Sequence, residues 1–504
     1  MCNNKKMIGR TKSIRLKKST RRKKSMRLKK TIRRTKSMRL NKSIRRTKSI
    51  RLKRILNHDD GGIMDKISTG PGPGNVLLEY LNKEDIANVR LLSKDDYKEV
   101  RVDLKLSRKY SLKYLQNEAF FNEVNSVLDR TKKNLHLDLS SSKDSSLIDF
   151  PAFLLPILPK LKTLKLVYNK IGDTIPSDIG IRFPELEILK IAGCGLTTFP
   201  NFLYPLEKLK ILDLRYNLIG DTIPSDIGIR FPLLEILHIG GCGLRTFPET
   251  NIAYPLEKLK ELDLCSDNLF DILDDDDSFV EDLINNIGNS IPSDIGAKFP
   301  GLEILTLNFC GLSSFPDISI LNPLTKLKEL YLRVNEIGDS IPSDIGIKFP
   351  ELEILDLKEC SLTTFPNIDI VYPLRRLKKL ILSENPSIGY IPSDIGIRFP
   401  ELEMLDLKEC SMTTFPNIAY PLRRLKELNL SRNPIGDTIP YDIGMRFTTL
   451  EKLILSQCGL TTFPDVLYPS TLKTLYLWNN ARYSVPSHVG TSFPRLVING
   501  PSIN

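Results

Sequence analysis

Apolar residues in the last two-thirds of the chain keep one order: LxxLxL, two further positions, then Asn, Cys, Ser or Asp, one more position, and an aliphatic residue. The first full copy places Leu161, Leu164, Leu166, Asn169 and Ile171. The second, 25 residues later, places Leu186, Leu189, Ile191, Cys194 and Leu196. Thirteen copies or close variants lie between Leu161 and Leu477. Within each LxL the spacing is two, the period of a strand whose alternate side chains point to opposite faces. A single copy cannot bury its apolar side, so the copies must stack on one another. The pattern therefore predicts a solenoid over 158–499, with a parallel sheet of short strands and the leucines turned inward.

The return segments alternate. Copies of the Asn type carry Ile-Pro-Ser-Asp-Ile-Gly, found at 175, 223, 291, 341 and 391, and copies of the Cys type carry a shorter Phe-Pro segment. A residue before proline is disfavoured in the helical region, so these returns predict turns rather than long helices. The period breaks once, between Leu259 and Leu327. The extra residues, placed at 271–287, include Asp274–Asp277 and predict an acidic loop. They lack the alternating ligands and turn glycine of a calcium-binding loop.

Upstream, Leu135-His-Leu137-Asp-Leu139 predicts a degenerate opening coil within 131–157 that caps the first edge. Residues 75–130 predict short helices. Asn82 and Ser93 open capping signals, and Phe120, Val124, Val127 and Leu128 keep helical spacing. Gly61-Gly62 and Gly70–Gly74 mark 55–74 as a linker. Residues 1–54 form a second repeat, of period 12, reading TKSIRLKKSTRR, KKSMRLKKTIRR, TKSMRLNKSIRR and a truncated TKSIRLKR.

Charge divides the chain in two. The arm at 1–54 holds 25 Lys and Arg and no acid, so the net charge of +13 conceals a remainder with net charge −12. So many like charges repel, and the few alternating Ile, Met and Leu residues cannot offset chain entropy, which predicts disorder. Three roles fit the arm: binding nucleic acid or another polyanion through phosphates, nuclear import through Arg21, Arg22, Lys23 and Lys24, or a tether tuned by phosphorylation at Ser25, Ser37 and Ser49, each three residues after an arginine. A translated tandem repeat without function, with Met64 as an alternative start, fits as well. The arm has no aromatic residue for base stacking.

Six of the eight cysteines occupy one repeat position: Cys194, Cys242, Cys310, Cys360, Cys410 and Cys458. On alternate coils they would stand about 10 Å apart, beyond the ~7 Å that a disulfide spans. They predict buried, reduced thiols, and without CxxC pairs they predict no zinc site. No apolar run approaches the roughly 18 residues of a membrane span, and no signal-peptide core is present. The expectation is a protein of the cytoplasm or nucleus, not secreted, with no membrane partner. Motifs for nucleophilic, metal-dependent or nucleotide-dependent catalysis are missing. No enzyme activity, cofactor or metal is expected.

Two family resemblances follow from these residues. The LxxLxL copies resemble leucine-rich-repeat proteins, which implies an α/β solenoid curved as a horseshoe with its parallel sheet on the concave side. The segment Val76-Leu-Leu-Glu-Tyr-Leu81-Asn-Lys-Glu-Asp85-Ile86-Ala-Asn-Val89-Arg-Leu-Leu92-Ser-Lys94 resembles an F-box, although Gly74-Asn75-Val76 replaces its opening Leu-Pro. That resemblance implies docking to a Skp1-like adaptor of a ubiquitin ligase through Leu77, Leu78, Leu81, Ile86, Val89 and Leu92. A plain helical cap is the other reading of the same residues. On the solenoid, positions between the leucines face outward. They offer Tyr331, Arg333, Asp356, Lys358, Asp406, Lys408, Tyr476 and Trp478 as candidates for holding a protein substrate, since Tyr, Trp and Arg anchor interfaces. The expected assembly is a monomer within a complex. A scaffold tethered to polyanions by its basic arm is the alternative.

Overall fold

A computed structural model describes residues 104–107, 134–141, 146–154, 158–249, 253–266, 280–481, 485–493 and 495–500, all within one compact unit, Leu77–Asn504. The basic arm with Arg21–Lys24, the linker, the six F-box-like contact residues and Asp271–Asp277 lie outside the described residues.

Among the described residues sixteen strands form a single parallel sheet in chain order. They are β1 (Leu104–Ser107), β2 (Leu135–Asp138), β3 (Leu161–Lys165), β4 (Ile188–Lys190), β5 (Ile211–Asp213), β6 (Ile236–His238), β7 (Glu261–Asp263), β8 (Ile304–Thr306), β9 (Glu329–Tyr331), β10 (Ile354–Asp356), β11 (Lys379–Ile381), β12 (Met404–Asp406), β13 (Glu427–Asn429), β14 (Lys452–Ile454), β15 (Thr474–Tyr476) and β16 (Val497–Asn499). Strands β3 to β15 are the thirteen expected copies. The expected solenoid is present, and it begins earlier than the pattern suggested. Strand β1 lies inside the stretch read as helical, and it pairs Leu104 with Leu135 and Leu106 with Leu137. Its Leu-Lys-Leu-Ser alternation is too short to stand out between helix-capping signals. Consequently β2 does not form the edge.

Register shifts once, between β2 and β3 at Leu135/His136, and is uniform from β3 to β15, so each middle leucine sits beside the next: Leu330, Leu355, Leu380 and Leu405 align across β9 to β12. All four are fully buried. Truncating one such leucine to alanine costs about 2–5 kcal/mol.

The returns of the first six Asn-type coils each contain a four-residue helix, such as Ile179–Arg182, Ile345–Lys348 and Ile395–Arg398; the β15 coil has a six-residue one, Ser487–Ser492. Each of the first six ends at a buried phenylalanine, and in five of six cases a proline follows it. Proline disfavours helical geometry in the preceding residue, which suits the angles of Phe349 (φ −135, ψ 67); Phe447, followed by Thr448, takes nearly the same ones (φ −129, ψ 66). These phenylalanines meet those of the Cys-type coils edge to face. Phe315–Phe349, Phe365–Phe399 and Phe415–Phe447 all have centroids 6.2 Å apart. A second aromatic spine thus runs behind the leucines.

The alternation of Asn and Cys has a hydrogen-bonding cause. Asn217 donates from Nδ2 to the carbonyls of Ile191 (2.9 Å) and Leu214 (2.7 Å), and its Oδ1 accepts from the N–H groups of Cys194 (2.9 Å) and Leu196 (3.1 Å). Cys242 then donates its thiol to the Leu214 carbonyl at 3.3 Å. One asparagine satisfies backbone groups on two coils, and the smaller cysteine fills the intervening coil. The six ladder cysteines are buried thiols. Desolvation pushes Cys194, Cys242, Cys360 and Cys410 up to about 12.

The same ladder redefines the insertion. Asn285 takes the asparagine position of the β7 coil, donating to the Ile239 and Leu264 carbonyls. Ile287, placed in the insertion by sequence, is core. The extra residues therefore lie between Ser266 and Asn285, with a short helix at Val280–Leu283. Among the described residues no helix is long and apolar enough to cross a membrane, and no group of His, Cys, Asp and Glu is arranged to hold a metal.

Candidate binding face of the parallel sheet

Outward positions of successive strands stand in register, so Asp213, His238, Asp263, Thr306, Tyr331, Asp356, Ile381 and Asp406 form one column. Two residues on, at the strand ends, a second column holds Arg215, Gly240, Cys265, Asn308, Arg333, Lys358, Ser383 and Lys408.

The aspartates of the first column cap strand ends. Asp213, Asp263, Asp356 and Asp406 each accept a hydrogen bond from the N–H two residues ahead, at 3.3, 2.9, 3.1 and 3.1 Å. Two of them also anchor arginines. Arg215 donates to Asp213 from Nε (3.0 Å) and Nη2 (2.9 Å). Arg333 reaches across from the end of β9 and donates from Nε to Asp356 at 2.5 Å. The two carboxylates shift in opposite directions. Burial works against both charges. The bidentate Arg215 outweighs it and holds Asp213 below its ordinary value, whereas Asp356 is raised despite Arg333. Burial also raises Asp406 and Asp263.

Most of the candidates between Tyr331 and Lys408 do come together. Tyr331 and Asp356 are register partners. Glu384 bridges Lys358 (3.2 Å) and Lys408 (2.9 Å), and Lys408 also meets Glu409 at 3.2 Å. Arg432 continues the chain of charges from Glu409. Tyr331 donates its hydroxyl to Glu329 at 2.6 Å, and burial and that bond raise its pKa.

Two expectations change. Asp356 was expected as a contact residue, but it has no exposed surface; it positions Arg333 instead. Tyr476 and Trp478 belong to the β15 coil, three strands from Asp406, about 14 Å at ordinary strand spacing. There Lys452 lies over the Tyr476 ring at 5.7 Å, and Trp478 is half exposed. They form a separate patch.

Sequence reasoning missed the other half of the face. A hollow of about 280 Å³ is walled by Arg215 and Tyr216 on one side and Tyr331 and Arg333 on the other, with Asp263, Cys265, Thr306 and Asn308 between them. Gly240 contributes no side chain to the second column, and the Cys265 backbone passes close against it. A β-carbon there would lie 2.1 Å from the Cys265 carbonyl oxygen, so no larger residue fits. A glycine in an outward column was the available signal.

Leucine-rich-repeat family profiles match the chain at residues 158–175, 208–228 and 424–445. A leucine-rich-repeat protein of Leptospira interrogans has a similar solved structure, with 23% sequence identity and a TM-score of 0.54; the similarity covers 82% of this chain and 98% of that one. The ectodomain of the Arabidopsis thaliana receptor kinase GASSHO1/SCHENGEN3, solved with Casparian strip integrity factor 2, is 22% identical with a TM-score of 0.48, over 75% of this chain and 42% of that one. No curated protein gives a significant sequence match.

Proposed function

We propose that this leucine-rich-repeat chain is a polypeptide-binding module that holds its partner on the open face of the sheet between β5 and β12. One observation supports this most. The face carries a continuous set of pre-positioned side chains, from Arg215 through Tyr331 and Arg333 to Lys358 and Lys408, each fixed by an acidic partner. Side chains held in place lose less entropy on binding, and Arg and Tyr are the residues that anchor interfaces. The short strands spread these anchors over eight coils, which suits an extended protein surface better than a small molecule. The aspartates are occupied by strand-end N–H groups and arginines, an arrangement suited to binding rather than chemistry. Lys358→Glu with Lys408→Glu tests it: partner capture falls at least tenfold while the unfolding midpoint stays in place. Unchanged capture refutes it.

Within that reading, a role as substrate-recognition subunit of a ubiquitin ligase rests on the F-box-like residues 76–94. Full-length protein co-purified with a Skp1-like adaptor tests it. Leu78→Asp with Leu81→Asp abolishes the complex if the segment docks as proposed; adaptor binding that is absent or survives both changes removes the role.

A further inference from the structure

We propose that Asp263 forms a subsite on the sheet face for an ammonium or guanidinium group, a Lys or Arg side chain of the bound polypeptide. The inference deepens the function proposed above and rests on it.

The chain's own repeats define what Asp263 lacks. Asp213 receives a cation from two residues ahead, Arg215. Asp356 receives one from two residues past its register partner on the preceding strand, Arg333. For Asp263 those two positions are Cys265 and Gly240. Neither carries charge. Asp406 has Lys408 two residues ahead, but that ammonium goes to Glu384 and Glu409, and among the described residues Asp406 takes only the Lys408 N–H. Asp263 makes no ion pair with the described residues, and its one hydrogen bond there is the 2.9 Å N–H of Cys265.

Space and surroundings agree with this deficit. Gly240 carries no side chain that could reach Asp263, and Asp263 lines the hollow. Tyr331 supplies an aromatic surface on its wall, suited to the stem or plane of a cation, and Arg215 lies over the Tyr216 ring opposite at 6.0 Å. Thr306 stands beside Asp263, and Asn308 Oδ1 accepts the N–H of Arg333 at 2.8 Å. Arg215 and Arg333 stay engaged with Asp213 and Asp356. Burial raises the Asp263 carboxylate, as it does Asp356 and Asp406, while His238 and Arg215 nearby pull it down.

Cys265 reports on the hollow directly. It is half-buried, whereas the six ladder cysteines are buried. The full chain is treated with a thiol reagent, and the labelling rate at Cys265 is read by mass spectrometry with acetyl-arginine amide, acetyl-glutamate amide or putrescine present. Asp263→Asn is the matched variant. Asn keeps the strand-end acceptor, as Asn429 shows by accepting from the N–H of Ser431 at 3.1 Å. Each protein is compared with itself without probe, which cancels the change in thiol reactivity.

The expected result is protection by the arginine probe and not the glutamate probe, with at least tenfold more arginine probe needed in Asp263→Asn. Protection by putrescine at lower concentration than the arginine probe assigns the same cation chemistry to a free diamine. Equal protection by arginine and glutamate probes, or unchanged protection in the variant, overturns the subsite. A polypeptide captured on the face in a manner sensitive to Lys358→Glu and Lys408→Glu but indifferent to Asp263→Asn overturns the subsite alone. Arginine-specific protection without any polypeptide bound on the face leaves the subsite standing and overturns the function it rests on.

Discussion

Arg333 spans two coils to place its Nε 2.5 Å from the fully buried Oδ2 side of Asp356. The other carboxylate oxygen takes the N–H of Lys358 at 3.1 Å. Removing Arg333 leaves a buried acceptor short of its charged donor, which costs about 1–3 kcal/mol. Arg333→Met should therefore lower the urea midpoint, and adding Asp356→Asn should recover part of the loss. A double variant no more stable than Arg333→Met would show that the pair is not coupled.

Asn385 should matter more than its neighbour Cys360. It donates to the carbonyls of Leu357 and Leu382 and accepts from the N–H groups of Cys360 and Leu362, all buried. Asn385→Ala strands three backbone groups, leaves the Leu382 carbonyl only the Cys410 thiol at 3.2 Å, and should cost at least about 3 kcal/mol. Cys360→Ala removes one weak thiol donor and a small volume, about 1 kcal/mol. Equilibrium unfolding of both variants checks the order; equal losses would contradict it.

A glycine in each return helix lets the next coil pass against it. A β-carbon on Gly346 would lie 2.3 Å from the Tyr372 carbonyl oxygen. Because backbone rather than a flexible side chain is in the way, Gly346→Ala should destabilise by about 1–3 kcal/mol, despite alanine's higher helix propensity. A raised thermal midpoint would contradict this packing.

Acid should loosen the turns that join paired coils. Asp339 accepts from the N–H groups of Thr363 and Thr364, both at 2.9 Å, and from the Thr363 hydroxyl. Burial would raise this carboxylate, but the three bonds outweigh it and hold its pKa below the ordinary value. Asp437, bonded to the Thr461 hydroxyl and the Thr461 and Thr462 N–H groups, is also held low. Such a group contributes stability that is complete above its unfolded pKa, about 4, and lost as pH falls through the folded value. Asn289 fills the same role toward Ser313 and Ser314 without a titrating group. Asp339→Asn with Asp437→Asn should therefore shrink the drop in thermal midpoint between about pH 7 and pH 3. An unchanged drop would exclude these carboxylates as a source of acid sensitivity.

Legibility in the sequence followed the range of each interaction. The leucines of LxL repeat at a strand's own period, so Leu330, Leu355 and Leu380 could be assigned inward without coordinates. The Cys position was equally plain, because its spacing forbids bridging between alternate coils. Strand β1 was hidden because its alternation is only four residues long. The insertion was misplaced because Asn285 resumes the ladder after a gap that local reading cannot align. Asp356 looked exposed because its position faces outward; its burial comes from Arg333, which reaches it from another coil. The hollow takes its lining from the coils of β5, β7, β8 and β9 at once, from Arg215 to Arg333, which no local reading brings together.

The binding face is tested most directly by site-specific photo-crosslinking. A benzophenone amino acid is placed at Lys358, on the face, or at Val371, an exposed position in a return segment. The face reading predicts a discrete crosslinked polypeptide from extracts of cells that make the protein at Lys358, lost when Lys408→Glu is added, and none at Val371. Crosslinks at Val371 with none at Lys358 would contradict it.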